Sequence, residues 1–169
     1  SLIDGDGSST TIPNDYCFTN LFKSTSITSA PSLPAVSLRN SCYSHMFEEC
    51  DNLQKAPALP AETLAVSCYE YMFAGCALID SVPLLPAIKL KESCYANMFT
   101  DCSNLKFIKL PALVLADSCY AGMFAGCVSV LDPPNLPAHN LTRYCYASMF
   151  KGCSFYYAPE MEAITAAEY

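Results

Sequence analysis

Apolar and polar positions alternate along this chain in a fixed order that returns about every 26 residues. In the copy that starts at Cys42 the order is Cys42-Tyr43-x-x-Met46-Phe47-x-x-Cys50-x-x-Leu53. A Pro-containing polar stretch follows, then Leu59-Pro60-Ala61-x-x-Leu64-x-x-Ser67. The Cys-Tyr-x-x-Met-Phe segment recurs with its Phe at Phe47, Phe73, Phe99, Phe124 and Phe150, and Leu-Pro-Ala begins at Leu33, Leu59, Leu85, Leu110 and Leu136. Cys pairs stand eight apart at Cys42/Cys50, Cys68/Cys76, Cys94/Cys102, Cys119/Cys127 and Cys145/Cys153. Stepping back 25 from Cys42 reaches Cys17, Phe18, Leu21 and Phe22, a degenerate first copy with Thr25 near the missing second Cys. The chain therefore reads as six copies. Residues 1–15 are a polar lead-in or cap, 16–160 the array and 161–169 a tail. Each unit is too small to bury its apolar face alone, so neighbours must stack.

The pattern divides each unit into two elements. Cys, Met and Cys at i, i+4 and i+8, with Tyr and Phe at i+1 and i+5, predict a short amphipathic helix of about two turns. Ser41, Ser67, Ser93 and Ser118 precede it as N-caps. Gly75, Gly126 and Gly152 stand where a left-handed residue ends a helix, and Glu49 and Asp101 hold that place in two other copies. The Pro-rich half, such as 53–59, predicts strands of only three or four residues. Strands lie ~4.8 Å apart and packed helices ~8 to 10 Å apart, so the array should curve. The expected fold is α/β: a six-copy solenoid with short strands on the concave face and short helices on the convex face.

These motifs resemble a known family. Phe73-Ala-Gly-Cys76, Phe124-Ala-Gly-Cys127 and Phe150-Lys-Gly-Cys153, each followed by a Pro-containing segment, resemble the BspA-type leucine-rich repeats of bacterial surface proteins. The longer form with Cys-Tyr-x-x-Met-Phe and Leu-Pro-Ala is similar to a variant common in anaerobic gut bacteria. The resemblance spans roughly residues 16–160. It implies a right-handed leucine-rich-repeat solenoid, export to the cell surface or beyond it, and a role in adhesion or recognition, with a protein or glycan of the host or of neighbouring cells as partner. The period of about 26 exceeds the roughly 23 more usual in the family.

Composition narrows the function. With 52% hydrophobic and 15% charged residues the chain is not intrinsically disordered. A net charge of −7 argues against a nucleic-acid surface. No apolar run reaches the ~18 to 20 residues of a membrane span. No secretory signal is visible, so the sequence is read as a mature chain or a fragment.

The eleven Cys raise the question of chemistry. Disulfides are compatible with export. On the helical reading, Cys eight apart are ~12 Å apart along the axis and equivalent Cys of adjacent helices ~8 to 10 Å apart. Disulfide-linked Cα atoms lie within ~7 Å, which favours free core thiols. An odd total also leaves at least one Cys unpaired. Cys42, Cys50, Cys68, Cys76, Cys94, Cys102, Cys119, Cys127, Cys145 and Cys153 are accordingly read as core with Phe47, Phe73, Phe99, Phe124 and Phe150. Spacing of eight does not suit zinc, and no metal or other cofactor is expected. The repeated Tyr43, Tyr69, Tyr95, Tyr120 and Tyr146 read as half-buried, with hydroxyls reaching water or backbone.

No catalytic constellation assembles. His45 and His139 lie about 3.6 repeats apart at variable positions and read as surface residues. Glu48 and Glu49 read as a solvent-facing helix end, and Glu160 and Glu162 belong to a degenerate terminus. Asp4-Gly-Asp-Gly-Ser-Ser9 faintly resembles a calcium loop without its later Glu, and a flexible turn is the simpler reading. Asn140-Leu-Thr142 matches an acceptor sequon by pattern alone. Tyr156 and Tyr157 read as covering the open core at the C-terminal end.

Function is left to the strand face. Its slots read Gln54 and Lys55, then Asp80, Ser81 and Leu84, then Lys106, Phe107 and Lys109, then Leu131, Asp132 and Asn135. These positions vary in charge and size while core slots stay alike. Lys106-Phe107-x-Lys109, an aromatic between two cations, is the most pointed cluster. The sequence thus reads as a non-catalytic binding or adhesion module, with a structural spacer that projects another domain as the alternative.

Overall fold

The computed structural model describes residues 10–162, and these contain neither α-helix nor sheet. The expected α/β solenoid of alternating helices and strands is therefore not what forms. Each predicted helix is instead a ribbon of overlapping turns: 15–24, 40–49, 66–75, 92–101, 117–126 and 143–152, numbered one to six.

The backbone accounting explains the ribbon. In the second ribbon, the N–H groups of Cys42, Ser44, Met46, Glu48 and Cys50 donate to the carbonyls three residues back, on Arg39, Ser41, Tyr43, His45 and Phe47. The alternate N–H groups, on Ser41, Tyr43, His45, Phe47 and Glu49, donate to Val66, Cys68, Glu70, Met72 and Ala74 of the next copy. Half the donors close turns and half join neighbours, so the buried backbone is satisfied without a helix or a ladder.

Every fourth residue pays for this geometry with a positive φ. In the second ribbon these are Ser41, His45 and Glu49, at 51°, 55° and 58°. A left-handed third residue is the signature of a type II turn, and the turns between carry none. Such a conformation costs about 1–2 kcal/mol for a residue with a Cβ. Gly, Asn and Asp, the residues that tolerate it best, fill seven of the eighteen such sites, Ser fills six more, and none is β-branched. Ser41, Ser67, Ser93 and Ser118 are thus left-handed turn residues rather than N-caps. Gly75, Gly126 and Gly152 do carry positive φ, between 76° and 82°, but as the third such residue of a ribbon.

Stacking then follows the hydrogen bonds. Tyr43, Tyr69, Tyr95 and Tyr120 form one face-to-face column with ring centroids 5.8–5.9 Å apart, continued by Phe18 at one end and Tyr146 at the other. Phe22, Phe47, Phe73, Phe99, Phe124 and Phe150 form a second, at 5.3–6.1 Å. This spacing is near that of hydrogen-bonded strands and well below that of packed helices. The four interior Tyr are only 1% exposed rather than half-buried, and the Tyr43 and Tyr120 hydroxyls have no partner.

The Pro-rich halves close each copy. Leu33, Leu59, Leu85, Leu110 and Leu136, with the Ala two residues on, are buried against the ribbons in one continuous core. The expected short strands reduce to isolated parallel bridges, including Thr11 to Ser37, Ser37 to Thr63, Lys89 to Val114 and Ser81 to Phe107. Pro34, Pro60, Pro86, Pro111 and Pro137 remove a donor inside every Leu-Pro-Ala, which breaks the ladder at the same place in each copy.

Candidate functional site

The variable connectors between a ribbon and its Leu-Pro-Ala hold the candidate contact residues, on irregular backbone rather than on a strand face. Gln54, Lys55, Asp80, Leu84, Lys106, Phe107, Lys109, Asp132 and Asn135 are all exposed. The structure gathers most of them into two hollows on neighbouring connectors. One, of about 390 Å³, is walled by Val82, Pro83, Leu84, Pro86, Lys109 and Pro111. The other, of about 510 Å³, is lined by Lys106, Phe107, Val128, Ser129, Leu131 and Asp132.

Three features build this region. The Lys106 N–H donates to the Asp80 carbonyl at 3.0 Å, and Phe107 bridges to Ser81, which fixes this connector to its neighbour. The Asp80 carboxylate in turn accepts the Ser81 hydroxyl at 2.9 Å. Buried Ile79, Leu105 and Val130 anchor the three connectors in the core, so the side chains that follow project outward. Phe107 is 75% and Leu84 78% exposed, an apolar surface with Lys106, Lys109 and Asp132 around it. Gln54 and Lys55 lie apart, on a hollow of about 400 Å³ with Thr28, Ser29, Ala30 and Pro57. Asn135 lines neither of the two gathered hollows. Val128 and Ser129 line the Phe107 hollow beside Leu131 and are the two lining residues that the sequence did not single out.

The cysteines supply no reactive group to this surface. All eleven are free thiols, and the argument from helix spacing no longer applies because no helix separates the copies. Cys50, Cys76, Cys102, Cys127 and Cys153 each donate the S–H to a Phe carbonyl of the preceding copy at 3.0–3.2 Å. Thr25 bonds the Phe22 carbonyl in the first copy, where this Cys is missing. Burial pushes the Cys42 thiol up to about 11 and those of Cys76, Cys119 and Cys127 up to about 12. Cys68, Cys94 and Cys102 rise for the same reason. Thiolate is the nucleophile and the metal ligand, and these thiols hold their protons. Cys42, Phe47, Phe73, Phe99 and Phe124 are fully buried, as are the other paired Cys as far as Cys127; Cys145 is nearly so, while Phe150 and Cys153 are half-buried.

Polar clusters elsewhere are structural. His45 is half-buried rather than a free surface residue: its Nδ1 lies 2.6 Å from Glu48 Oε2 and its ring stacks 4.8 Å from that of Tyr71. Lys23 donates to the same Glu48 oxygen at 2.6 Å. Burial alone would raise the Glu48 carboxyl, but the bonds from Lys23 and His45 outweigh it and hold the group below its usual range. His139 is exposed, with Nδ1 3.0 Å from the Glu162 carbonyl. Among the described residues no three of His, Cys, Asp and Glu are grouped to hold a metal, and no helix is long and apolar enough to cross a membrane. The calcium-like Asp4–Ser9 segment lies outside the described residues. Tyr156 and Tyr157 are exposed, and Phe155 is what packs on Phe150, edge to face at 5.0 Å.

Six stacked copies with recurring core slots and variable connectors define a tandem-repeat protein. The chain belongs to the family described as BspA type leucine rich repeat region, whose model matches residues 10–156 in six copies. No curated protein and no solved structure matches the chain.

Proposed function

We propose that this chain is a non-catalytic recognition module of an exported or cell-surface protein, and that it contacts its partner through the Phe107 surface. Members of the family are typically surface or secreted scaffolds without catalysis, which supports the class of function and its location. The observation that carries the site is Phe107, largely exposed between Lys106 and Lys109 while bridged to Ser81. An aromatic held on fixed backbone, beside an apolar hollow and rimmed by charge, has the anatomy of an interface hot spot. The partner class is a protein or glycan of a host or neighbouring cell, since a flat aromatic suits either a side-chain pocket or the face of a sugar ring.

The test is binding of the chain to arrays of extracellular-matrix proteins and glycans, beside a Lys106/Phe107/Lys109 triple-alanine variant. Saturable binding that the variant loses supports the reading. Binding that survives moves the site elsewhere, and an absence of binding by both forms favours the alternative of a structural spacer.

A further inference from the structure

All the backbone-to-backbone hydrogen bonds between ribbons run in one sense. Five N–H groups of each of ribbons one to five donate to main-chain carbonyls of the following ribbon, and none donates to a main-chain carbonyl of the preceding one. The peptides form continuous files along the stack: Phe18 N–H to Cys42, Tyr43 to Cys68, Tyr69 to Cys94, Tyr95 to Cys119 and Tyr120 to Cys145, each at 2.9–3.0 Å. Peptide dipoles aligned in this way leave partial positive charge at the donor end and partial negative charge at the acceptor end, as they do in a helix.

The two ends are therefore unlike and complementary. Among the described residues, the N–H groups of Tyr144, Tyr146, Ser148, Phe150 and Gly152 have no acceptor, and the carbonyls of Asp15, Cys17, Thr19, Leu21 and Lys23 receive no cross-ribbon donor. The C-terminal face also carries a hollow of about 290 Å³ lined by Thr142, Tyr144, Cys145, Tyr146 and Met161, and the buried Thr142 hydroxyl has no partner.

Side chains at the two ends match as well. The first left-handed site of a ribbon is Ser41, Ser67, Ser93 and Ser118 in the interior, but Tyr16 and Tyr144 at the ends. These two Tyr are 66% and 63% exposed. The residue before that site is Asp15 in the first ribbon and Arg143 in the sixth. We propose that the C-terminal face of ribbon six takes the N-terminal face of a second copy of this chain. In that contact Tyr144 stacks on Tyr16 of the second copy, as His45 stacks on Tyr71 within the chain, and Arg143 meets Asp15. The Tyr146 and Phe150 rings continue onto Phe18 and Phe22, and the five outward N–H groups of ribbon six meet the five outward carbonyls of ribbon one. One pair opposes the contact: Lys151 meets Lys23, whose charge Glu48 already offsets. A contact between unlike faces does not close on itself, so the product is a linear oligomer.

Sedimentation of the full chain over a wide concentration range tests this. Mass should rise with concentration, and Tyr144→Ser or Tyr16→Ser should weaken association by up to about tenfold, the worth of one aromatic pair. Both variants install the interior residue, and an unchanged melting transition verifies that they fold. Arg143→Asp and Asp15→Arg should each associate more weakly than the parent, and a mixture of the two should recover. A chain that stays monomeric throughout overturns the proposal. So does association that neither Tyr substitution weakens, or charge variants that do not complement each other.

Discussion

Tyr69 and Tyr95 lie face to face with ring centroids 5.8 Å apart and planes within 4°, while the Tyr69 N–H donates at 3.0 Å to Cys94, the residue just before Tyr95. One step along the stack thus joins a hydrogen bond and an aromatic contact, and neither is available at the separation of packed helices. Core truncation should reveal this coupling. Phe99 is fully buried between Phe73 and Phe124, and Phe99→Ala should cost about 3–5 kcal/mol in a denaturant titration.

The Tyr hydroxyls should behave in the opposite way. Tyr120→Phe removes a buried hydroxyl that has no partner and leaves the ring stack intact. Removing an unsatisfied buried polar group is neutral or favourable. Thermal melts of Tyr120→Phe and Tyr43→Phe should show a transition equal to or above that of the parent, and Phe18 already stands in this column in the first copy.

Left-handed glycines separate backbone cost from contact cost. Gly152 has φ 82°, and a Cβ there would meet only the Gly126 backbone at 3.6–3.7 Å. Gly126 has φ 76°, and a Cβ there would collide with the Asp101 carboxylate. Gly152→Ala should cost about 1–2 kcal/mol from backbone strain alone. Gly126→Ala should cost more, and combining it with Asp101→Ala should recover the excess in a double-mutant cycle.

Buried thiols make the protein sensitive to alkali. Their folded pKa values lie above the ordinary value, so the folded state holds protons that the unfolded chain releases. This contribution is fully present below the unfolded thiol pKa, near 9, and is lost as pH rises through the folded values of about 11 to 12. Each thiol forfeits roughly 1.4 kcal/mol per pH unit within that window. Melting temperature should fall steeply above pH 9, and Cys76→Ala should flatten the slope while lowering stability at neutral pH.

The repeat, its period and its copy number were legible because the chain restates the same core residues five times and a degenerate form of them once, at Cys17–Phe22. The element type was not. Cys42, Met46 and Cys50 repeat every four residues, and that period fits one face of a helix as well as a ribbon of paired turns. The discriminating signal lay in Ser41, His45 and Glu49, which occupy the positions that must turn left-handed. Ser41 was legible as an N-cap because the same residue type serves both roles. Proline gave a partial warning: Pro57 and Pro60 pointed to short strands, and their lost donors leave only isolated bridges. At the candidate site, Phe107 stood out as an aromatic among polar slots. Leu131 stood among the same slots, but Val128 did not, since it directly follows a core Cys and meets Phe107 only through stacking of the copies.

The most direct test of the turn-ribbon stack is NMR detection of scalar couplings across hydrogen bonds in the labelled protein. The structure predicts a correlation from the Tyr69 amide nitrogen to the Cys94 carbonyl carbon, and one from Met72 to Tyr69 within the ribbon. Correlations from Tyr69 to Ala65 and from Phe73 to Tyr69, the helical pattern of four residues back, would contradict it.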